Sequence, residues 1–373
     1  MDCHHYDAAR CRSCAWLPRS YDEQLAAKQE RCAVLLAEHR SLTWRPPVRS
    51  VESGFRNKAK LVVAGSIDDP SLGILGPDGG VDLRDCGLHV DTIRDALPVL
   101  AAFITRAALV PYDVTTRRGE LKLLLVTASP DHELMVRFVT RSQEPVTRLR
   151  KHLPWLHDAL PRLVAASVNL QPEHKAVLEG ATEIALTPDP VLRMNLNGID
   201  LQLRPQSFFQ TNTAVAATLY REAAAWIDEA APATLWDLYC GVGGFALHAA
   251  SPGRDVLGIE SSPEAIASAR STAAAAGLDG VTFVSGDAPG LAKDQGSSPD
   301  LVVVNPPRRG IGEHLAAWLE ASSVRRVVYS SCNPESLAHD LAAMPSLVPV
   351  RGRVFDMFPQ TAHAEVLVLL ERS

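Results

Sequence analysis

Residues from about 213 to the end of the chain carry the pattern that most restricts its fold, because apolar strand-like runs alternate there with helical stretches. Strands are predicted at 234–239, 255–260, 281–285, 300–304 and 325–331, and helices at 243–251, 263–276, 313–322 and 335–344. This alternation is typical of a parallel sheet with helices on both faces. Two further runs, 350–358 and 364–370, are predicted to form a closing hairpin. The sequence therefore predicts a doubly wound α/β domain.

The residues before this domain divide into two further regions. Residues 46–205 hold short apolar runs broken by turn residues, with helical stretches near 91–108 and 145–160. This pattern is typical of an α+β domain with an antiparallel sheet. Residues 1–45 hold a cysteine-rich start followed by a helix. We therefore predict a small amino-terminal cysteine segment at 1–45, a central domain at 46–205 and the doubly wound domain at 206–373.

Composition predicts a soluble cytoplasmic protein and leaves nucleic-acid binding open. No apolar stretch approaches the ~20 residues of a membrane span, and the amino terminus lacks an apolar signal segment. The formal net charge is −6, yet residues 45–60 contain five cations against one acid, as do residues 137–151. Such clusters are able to contact RNA phosphates. Solvated strand and helix faces explain each cluster equally well.

A glycine-rich loop follows the first strand of the doubly wound domain and opens a helix. It reads Asp-Leu-Tyr-Cys-Gly-Val-Gly-Gly over residues 237–244, and Glu260 ends the next strand. Glycines let the backbone approach a nucleoside closely, and a carboxylate at the second strand accepts hydrogen bonds from ribose hydroxyls. The spacing departs from the dinucleotide-binding pattern and suits S-adenosylmethionine, which has a ribose but no pyrophosphate. A tight turn in another nucleotide-binding fold is the alternative.

Cys332 lies where the strand 325–331 turns into a helix, with Asn333 as the predicted N-cap and Pro334 in the first turn. The positive end of the helix dipole at this junction favours a thiolate. Asn305 ends the preceding strand, and ligands of open α/β sheets bind at the carboxyl ends of the strands. The sequence therefore predicts one site in which Cys332 is the nucleophile. A packed core thiol is the alternative interpretation.

A cysteine nucleophile distinguishes between two kinds of base methylation. Asn-Pro-Pro at 305–307 occurs in enzymes that methylate exocyclic amines, where an aromatic residue usually follows; here Arg308 follows. C5 of a pyrimidine is a poor nucleophile until a thiolate adds to C6, and a base must later remove the C5 proton. Glu365 is the candidate base and His363 a weaker one. A solvated strand end is the alternative role for Glu365.

Cys3, Cys11 and Cys14 form a compact trio near the amino terminus, and Cys86 is the candidate fourth thiol. In a cytoplasmic protein such cysteines favour a metal site over disulfides. Four thiolates bind a zinc ion or an iron–sulfur cluster. Their spacing matches neither common ferredoxin pattern, so the residues alone leave both open and slightly favour structural zinc. Cys32, inside a predicted helix, is not expected to be a ligand.

Taken together, these motifs resemble the RNA uracil-C5 methyltransferase family along essentially the whole chain. The resembling segments are Cys3 with CRSC at 11–14, GFRNK at 54–58, RPQSFFQTN at 204–212, DLYCGVGG at 237–244, NPPRRG at 305–310, SSCN at 330–333, and 355–365 with FDMFP. The resemblance implies a Rossmann-like class I S-adenosylmethionine methyltransferase domain. It implies that Cys332 is the nucleophile and Glu365 the base. The contacts that it implies to S-adenosylmethionine are Gln210, Tyr239, Glu260 and Asn305.

The resemblance also implies a cofactor and a substrate. It implies that Cys3, Cys11, Cys14 and Cys86 hold a [4Fe-4S] cluster, which reverses the slight preference for zinc. Family members with an OB-type (TRAM) domain carry a longer stretch before the first cysteine, and the transfer-RNA branch lacks the cluster cysteines. The chain is therefore similar to the branch acting on uracil 747 of 23S ribosomal RNA, and a monomer is expected. Transfer RNA, another ribosomal uridine and a non-catalytic iron–sulfur RNA-binding role are the alternatives.

Overall fold

The computed structural model describes residues 1–77, 79–174, 177–287, 290 and 298–373, which form two compact units. The first unit contains Met1–Cys14 and Glu52–Met194, and the second contains Ala15–Val51 and Asn195–Ser373. The predicted 1–45 segment is therefore divided, because its cysteine trio belongs to the first unit and the helix that follows belongs to the second.

The bounds of the elements are as follows. The helices are α1 His4–Asp7, α2 Tyr21–Leu35, α3 Asp91–Arg106, α4 Val146–Ala159, α5 Thr213–Ala230, α6 Gly244–His248, α7 Pro263–Ala275, α8 Gly312–Ala321 and α9 Pro334–Ala342. The strands are β1 Thr43–Trp44, β2 Lys58–Gly65, β3 Pro70–Gly76, β4 Gly79–Asp82, β5 Leu121–Ala128, β6 Leu134–Thr140, β7 Leu163–Leu170, β8 Thr182–Ala185, β9 Leu192–Leu196, β10 Ile199–Leu203, β11 Thr234–Leu238, β12 Asp255–Glu260, β13 Val281–Ser285, β14 Leu301–Val304, β15 Arg326–Ser331, β16 Leu347–Phe355 and β17 Glu365–Arg372.

The second unit is built on an eight-stranded sheet in the order β1-β16-β17-β15-β14-β11-β12-β13. Strands β11 to β15 pair in parallel, as the strand–helix alternation predicted. The predicted closing hairpin is confirmed, since β17 pairs antiparallel with β16, and it also pairs antiparallel with β15. From β11 the chain continues to β12 and β13 on one side, whereas β14 and β15 lie on the other side. The topological switch point therefore lies between β11 and β14. In open α/β sheets, ligands bind beside such a switch point.

Buried apolar side chains cover both faces of this sheet, which explains the uninterrupted apolar runs in its sequence. Val302, Val303 and Val304 on β14 are all fully buried. Leu315 and Leu337, from α8 and α9, belong to the same hydrophobic core as alternate residues of β14. Burying a side chain of this size is worth about 1.5–3 kcal/mol. This packing fixes the ends of the strands from which the candidate site residues project.

Helix α2 belongs to the second unit because buried polar contacts join it to the chain near β17. Lys28 Nζ lies 2.6 Å from Asp356 Oδ1, and both side chains are fully buried. Gln24 donates to Gln360 Oε1 at 2.9 Å and accepts from the Gln360 backbone N–H at 2.9 Å. Burying such groups without partners is costly, so these contacts determine where the helix packs. Their partners are more than 300 residues away in sequence.

The first unit contains a seven-stranded sheet in the order β4-β3-β2-β5-β6-β7-β8. Every neighbouring pair is antiparallel except β6–β7, which is parallel. The prediction of an antiparallel sheet is therefore wrong at this pair. Parallel neighbours need a crossover connection, and α4 provides it between β6 and β7. Within the described residues, no helix is both long enough and apolar enough to span a membrane.

Candidate active site

A cavity of about 620 Å³ lies at the carboxyl ends of the parallel strands in the second unit. Its lining includes all six predicted catalytic and cofactor-contacting residues, namely Gln210, Tyr239, Glu260, Asn305, Cys332 and Glu365. Tyr239 follows β11 and Asn305 follows β14, so the two residues lie on either side of the topological switch point. The size and position of the cavity suit a nucleoside-sized ligand together with a reacting base.

The glycine-rich loop leaves β11 through a constrained turn. Tyr239 has φ +64°, a left-handed conformation that is uncommon for an aromatic residue and that clusters at functional sites. At Gly244, which begins α6, an added Cβ would lie 2.6 Å from the ring of Tyr220. Only glycine allows this close approach of the helix to the cavity wall. The sequence predicted the loop and the helix, but not the strained tyrosine.

Glu260 is held in place by the loops around it. One carboxylate oxygen accepts from the Gly241 backbone N–H at 3.2 Å. The other accepts from the Ser262 backbone N–H and the Ser261 hydroxyl, both at 2.9 Å. The carboxylate is thus fixed beside the glycine loop at the edge of the cavity. This is the position that the sequence predicted for a group that binds ribose hydroxyls.

Asp237 is a buried acid that the motif contained but the sequence analysis did not single out. Its Oδ2 accepts from the Ala246 backbone N–H at 2.9 Å, at the start of α6. Its Oδ1 has no hydrogen-bond partner within the described part of the chain. Burial raises the pKa of Asp237 to about 8, and repulsion from Glu260 adds to the increase. Its position as the first residue of the glycine motif was the one sequence signal that pointed to Asp237 as a site residue.

Cys332 and Glu365 are brought together by the antiparallel pairing of β15 and β17. Ser331 is the register partner of Val366. Cys332 follows Ser331 and Glu365 precedes Val366, so the two residues lie side by side at the end of this ladder. Both line the cavity, Cys332 partly exposed and Glu365 buried. Two residues that the sequence could only propose separately are thus neighbours.

The environment of Glu365 raises its pKa to about 7, chiefly through burial. Ser330 opposes this shift by donating a hydrogen bond from its hydroxyl to Glu365 Oε1 at 2.5 Å. A carboxyl group with such a pKa is able to accept a proton near neutral pH and to release it again. This effect was not predictable from a local pattern, because it depends on burial and on a partner 35 residues away.

The pKa of Cys332 is raised, which contradicts the prediction that the helix start favours a thiolate. Burial is the largest cause, and repulsion from Glu365 adds to it. Arg308 opposes both by charge and hydrogen bonding. Asn333 and Pro334 occupy the predicted N-cap and first-turn positions, but the Asn333 side chain makes no cap hydrogen bond. Burial of the thiol therefore outweighs its position at the end of the helix.

In the first unit, the thiols of the four predicted ligands lie near one another. The pKa of Cys14 is raised to about 12, first by burial and then by repulsion from Cys86, Cys11 and Cys3. Arg56 lies partly buried beside this group, and its charge favours the thiolates of Cys14 and Cys86. Of these mutually repelling thiols Cys14 is buried and the other three are partly exposed. Such a set with a cation nearby suits a metal or cluster that stabilises the thiolates.

A second group of potential ligands lies close to these cysteines in sequence. The donor atoms of His4, His5 and Asp85 lie within 4.8 Å of one another. His5 Nε2 is 2.6 Å and His4 Nε2 is 3.2 Å from the Asp85 carboxylate. The His5 contact is a hydrogen bond and the His4 contact lies at ion-pair distance, and together they explain the proximity without an ion. Cys32 and Cys240 are both buried, and Cys32 belongs to the hydrophobic core of the second unit.

The fold and the cavity together define an S-adenosylmethionine-dependent methyltransferase, and comparisons with known proteins give the same class. A family model described as tRNA (Uracil-5-)-methyltransferase matches residues 297–373, and one described as Methyltransferase domain matches residues 236–324. The 23S rRNA (uracil(747)-C(5))-methyltransferases RlmC of Shigella boydii and Escherichia coli are 48% identical over 372 residues, covering 99% of each chain. The protein belongs to the RNA uracil-C5 methyltransferase family.

A solved structure shows the same similarity in three dimensions. The tRNA (uracil-54, C5)-methyltransferase of Pyrococcus abyssi, crystallised with S-adenosyl-L-homocysteine, matches with a TM-score of 0.77 and 25% sequence identity. The match covers 96% of this chain and 85% of the other. The predicted fold class and the family resemblance are thereby confirmed.

Proposed function

We propose that the protein methylates C5 of a uridine in 23S ribosomal RNA, the uridine being the counterpart of uracil 747. The observation that carries the proposal is the pair Cys332 and Glu365, which lie side by side in the cavity that also contains the glycine loop. A nucleophile and a base in that arrangement are needed for C5 chemistry and have no role in methylating an amine. The substrate follows the relatives that match the chain over its whole length.

The cofactor-side residues hold the methyl donor in our proposal. Glu260 is fixed beside the glycine loop and accepts hydrogen bonds from the ribose hydroxyls of S-adenosylmethionine. Gln210, Tyr239 and Asn305 line the same cavity and contact the rest of the donor. A donor bound there presents its electrophilic methyl group to a uracil that lies against Cys332.

The reaction proceeds through a covalent adduct in our proposal. Cys332 adds as a thiolate to C6 of the uracil, and the electron pair of the C5=C6 bond moves into an enolate. C5 of this enolate then displaces the methyl group from the donor. Glu365 removes the proton from C5, the C5=C6 bond forms again, and the Cys332 thiolate leaves. A carboxyl group with a pKa of about 7 suits that proton transfer.

Trapping with 5-fluorouridine tests this mechanism. Fluorine at C5 cannot leave as a proton, so the adduct should persist as a protein–RNA band on a denaturing gel. We expect wild-type protein with 5-fluorouridine-containing 23S RNA and S-adenosylmethionine to form the band, and Cys332→Ala to form none. Cys240→Ala, a buried cavity cysteine, serves as the matched control and should form the band. Normal methylation by Cys332→Ala would refute the mechanism.

The target nucleotide is tested separately by mass mapping of methylated RNA. We expect 5-methyluridine at the uracil 747 counterpart in 23S RNA, and its loss in cells without the protein. Transfer RNA is the second candidate substrate, because the family model that matches residues 297–373 is described by that substrate. Loss of 5-methyluridine from transfer RNA alone would support this second candidate, and N6-methyladenosine as the product would overturn both.

We also propose that Cys3, Cys11, Cys14 and Cys86 hold a [4Fe-4S] cluster. Their mutual repulsion and the neighbouring Arg56 support the assignment, because cluster binding keeps four closely spaced thiolates charged. The reaction involves no redox step, so such a cluster would stabilise the amino-terminal segment of the first unit. Anaerobically purified protein should be brown with absorbance near 400 nm, and Cys14→Ser should lose both. Stoichiometric zinc in colourless protein would refute the assignment.

A further inference from the structure

Arg308 has no role in the proposed reaction, although it lines the same cavity as Cys332 and Glu365. It occupies the position where amine-methylating enzymes carry an aromatic residue, and it is the first residue after the two prolines that follow β14. Its side chain is exposed, so the cation stays hydrated while it borders the cavity that holds the thiol.

The loop that carries Arg308 is tied to the residues around the nucleophile at two points. The Asn333 side chain donates from Nδ2 to the Arg308 backbone carbonyl at 3.0 Å, which explains why it makes no cap hydrogen bond. Asp340, on α9, accepts from the Ile311 backbone N–H at 2.9 Å. Its Oδ2 also accepts from the Tyr329 hydroxyl at 2.6 Å. Helix α9 begins two residues after Cys332, at Pro334, so both ties keep Arg308 in register with the thiol.

The Arg308 guanidinium faces the thiol and a histidine. It lines the same cavity as Cys332, and its charge favours the Cys332 thiolate. On the other side, Arg308 Nη2 lies 3.2 and 3.3 Å from the two ring nitrogens of His363. Burial and the charges of Arg308, Arg31 and Lys28 lower the pKa of His363, so its ring is neutral and able to accept a hydrogen bond from Arg308.

We propose that Arg308 is the residue that activates Cys332 as a nucleophile, and that His363 positions the Arg308 guanidinium for this task. When the S–H bond breaks, the electron pair stays on sulfur beside the guanidinium, and the proton passes to water in the open cavity. Arg308 thus supplies the positive charge that the helix start alone does not supply. The inference deepens the proposed function, because it names the group that prepares its first step.

The charged groups that face these side chains support this assignment. Glu365, from β17, repels a Cys332 thiolate, and Arg308 is the cation that opposes it. Arg309 also lines the cavity, but it acts on Tyr239 rather than on Cys332. The two adjacent arginines therefore have different tasks, and Arg309 provides a matched control.

The pH dependence of Cys332 alkylation tests the inference without RNA or S-adenosylmethionine. The rate of iodoacetamide modification is measured from pH 6 to 10, and the Cys332 peptide is quantified by mass spectrometry. We expect Arg308→Gln to shift the midpoint upward by about one pH unit or more, which is a roughly tenfold slower rate at pH 7. Arg308→Lys should keep the midpoint close to the wild-type value, because lysine retains the positive charge.

The control variants separate activation from folding. We expect Arg309→Gln to leave the Cys332 profile unchanged, and His363→Ala to shift it in the same direction as Arg308→Gln but by less. Unfolding midpoints confirm that the variants are folded. An unchanged profile in Arg308→Gln would overturn the inference, even if wild-type protein still forms the 5-fluorouridine adduct. A wild-type protein that forms no adduct but shows the Arg308-dependent shift would instead refute the proposed function.

Discussion

Glu365 is a carboxyl group that is poised between its two charge states at neutral pH. Its pKa of about 7 comes from complete burial, while the Ser330 hydroxyl favours the charged form. For a base that must take one proton per turnover and lose it again, such a value is close to the optimum. Cys332 has the opposite need, since it must lose its proton before it attacks. The neighbouring Glu365 charge hinders that loss and Arg308 assists it.

Replacing Glu365 with glutamine should separate attack from release. Glutamine has nearly the same shape and cannot take the C5 proton, so the methylated covalent adduct should accumulate on ordinary RNA. We expect a stable protein–RNA band on a denaturing gel and at least about 100-fold slower release of methylated RNA. Glu371→Gln, at an exposed ion pair on the same strand, is the control and should turn over normally. Normal turnover by Glu365→Gln would exclude it as the base.

The same substitution should change how stability depends on pH. The pKa of Glu365 is raised from 4.5 to about 7 in the folded protein, so the folded state holds the proton more tightly than the unfolded state. Stability from this group is therefore present below about pH 4.5 and is lost as the pH rises through 7. Relative to wild type, the unfolding free energy of Glu365→Gln should increase over that pH range, by up to about 3 kcal/mol above pH 7. Urea unfolding at pH 5 and 8 measures the difference, and an equal difference at both would contradict the pKa.

At the scale of elements, the Asn305–Ile311 connection is held as a fixed loop rather than as a flexible one. Gly310 has φ +85°, and an added Cβ would lie 2.2 Å from Asp340 Oδ2. That carboxylate is the one that accepts from Ile311 and Tyr329. Loop and helix are thus shaped to each other, which places Arg308 and Asn305 relative to Cys332.

Two glycines of this region allow the cost of backbone strain to be measured separately from the cost of a Cβ contact. Gly312 also has positive φ, +75°, but an added Cβ there would meet nothing within 4 Å. We expect Gly312→Ala to cost about 1 kcal/mol from backbone strain alone, and Gly310→Ala to cost at least about 2 kcal/mol because Asp340 must also move. Urea unfolding of the two variants measures the comparison. Equal costs would show that Asp340 yields freely.

At the scale of the whole molecule, one buried ion pair decides to which unit helix α2 belongs. Lys28 and Asp356 are both fully buried, and Asp356 Oδ2 has no other partner within the described residues. Lys28 also donates to the Phe358 carbonyl at 3.0 Å. Burial lowers the pKa of Lys28, while Asp356 acts to keep it charged. Helix α2 is therefore joined to the residues that lead into β17.

Removing one partner of this pair should be far more harmful than removing a surface pair. Lys28→Met leaves the Asp356 charge buried and alone, and should cost about 3–5 kcal/mol of unfolding free energy. Asp22→Asn breaks an exposed ion pair from the same helix to Arg49, and should cost at most about 1 kcal/mol. Denaturant unfolding of both variants measures the contrast. A small effect of Lys28→Met would mean that α2 is not held by this pair.

Local patterns in the amino-acid sequence account for the elements and for the residue types of the site. Strand–helix alternation, the glycine loop, Glu260 and the Asn333-Pro334 helix start are local patterns, and β11 to β15 appear where they were predicted. The positions of Gln210 and Glu365 in one cavity with Cys332 followed from the family resemblance rather than from periodicity. Burial patterns are local enough to be read from a single segment, so this part needed no tertiary information.

Contacts between residues that are distant in sequence account for the rest of the site. The insertion of β17 beside β15 places Glu365 next to Cys332, and the α4 crossover makes β6 and β7 parallel. Burial sets the pKa values, so that Cys332 is harder to ionise and Glu365 easier to protonate than their sequence positions suggest. Charge and desolvation act through space between groups that the chain brings together, and their balance is not encoded in any local pattern.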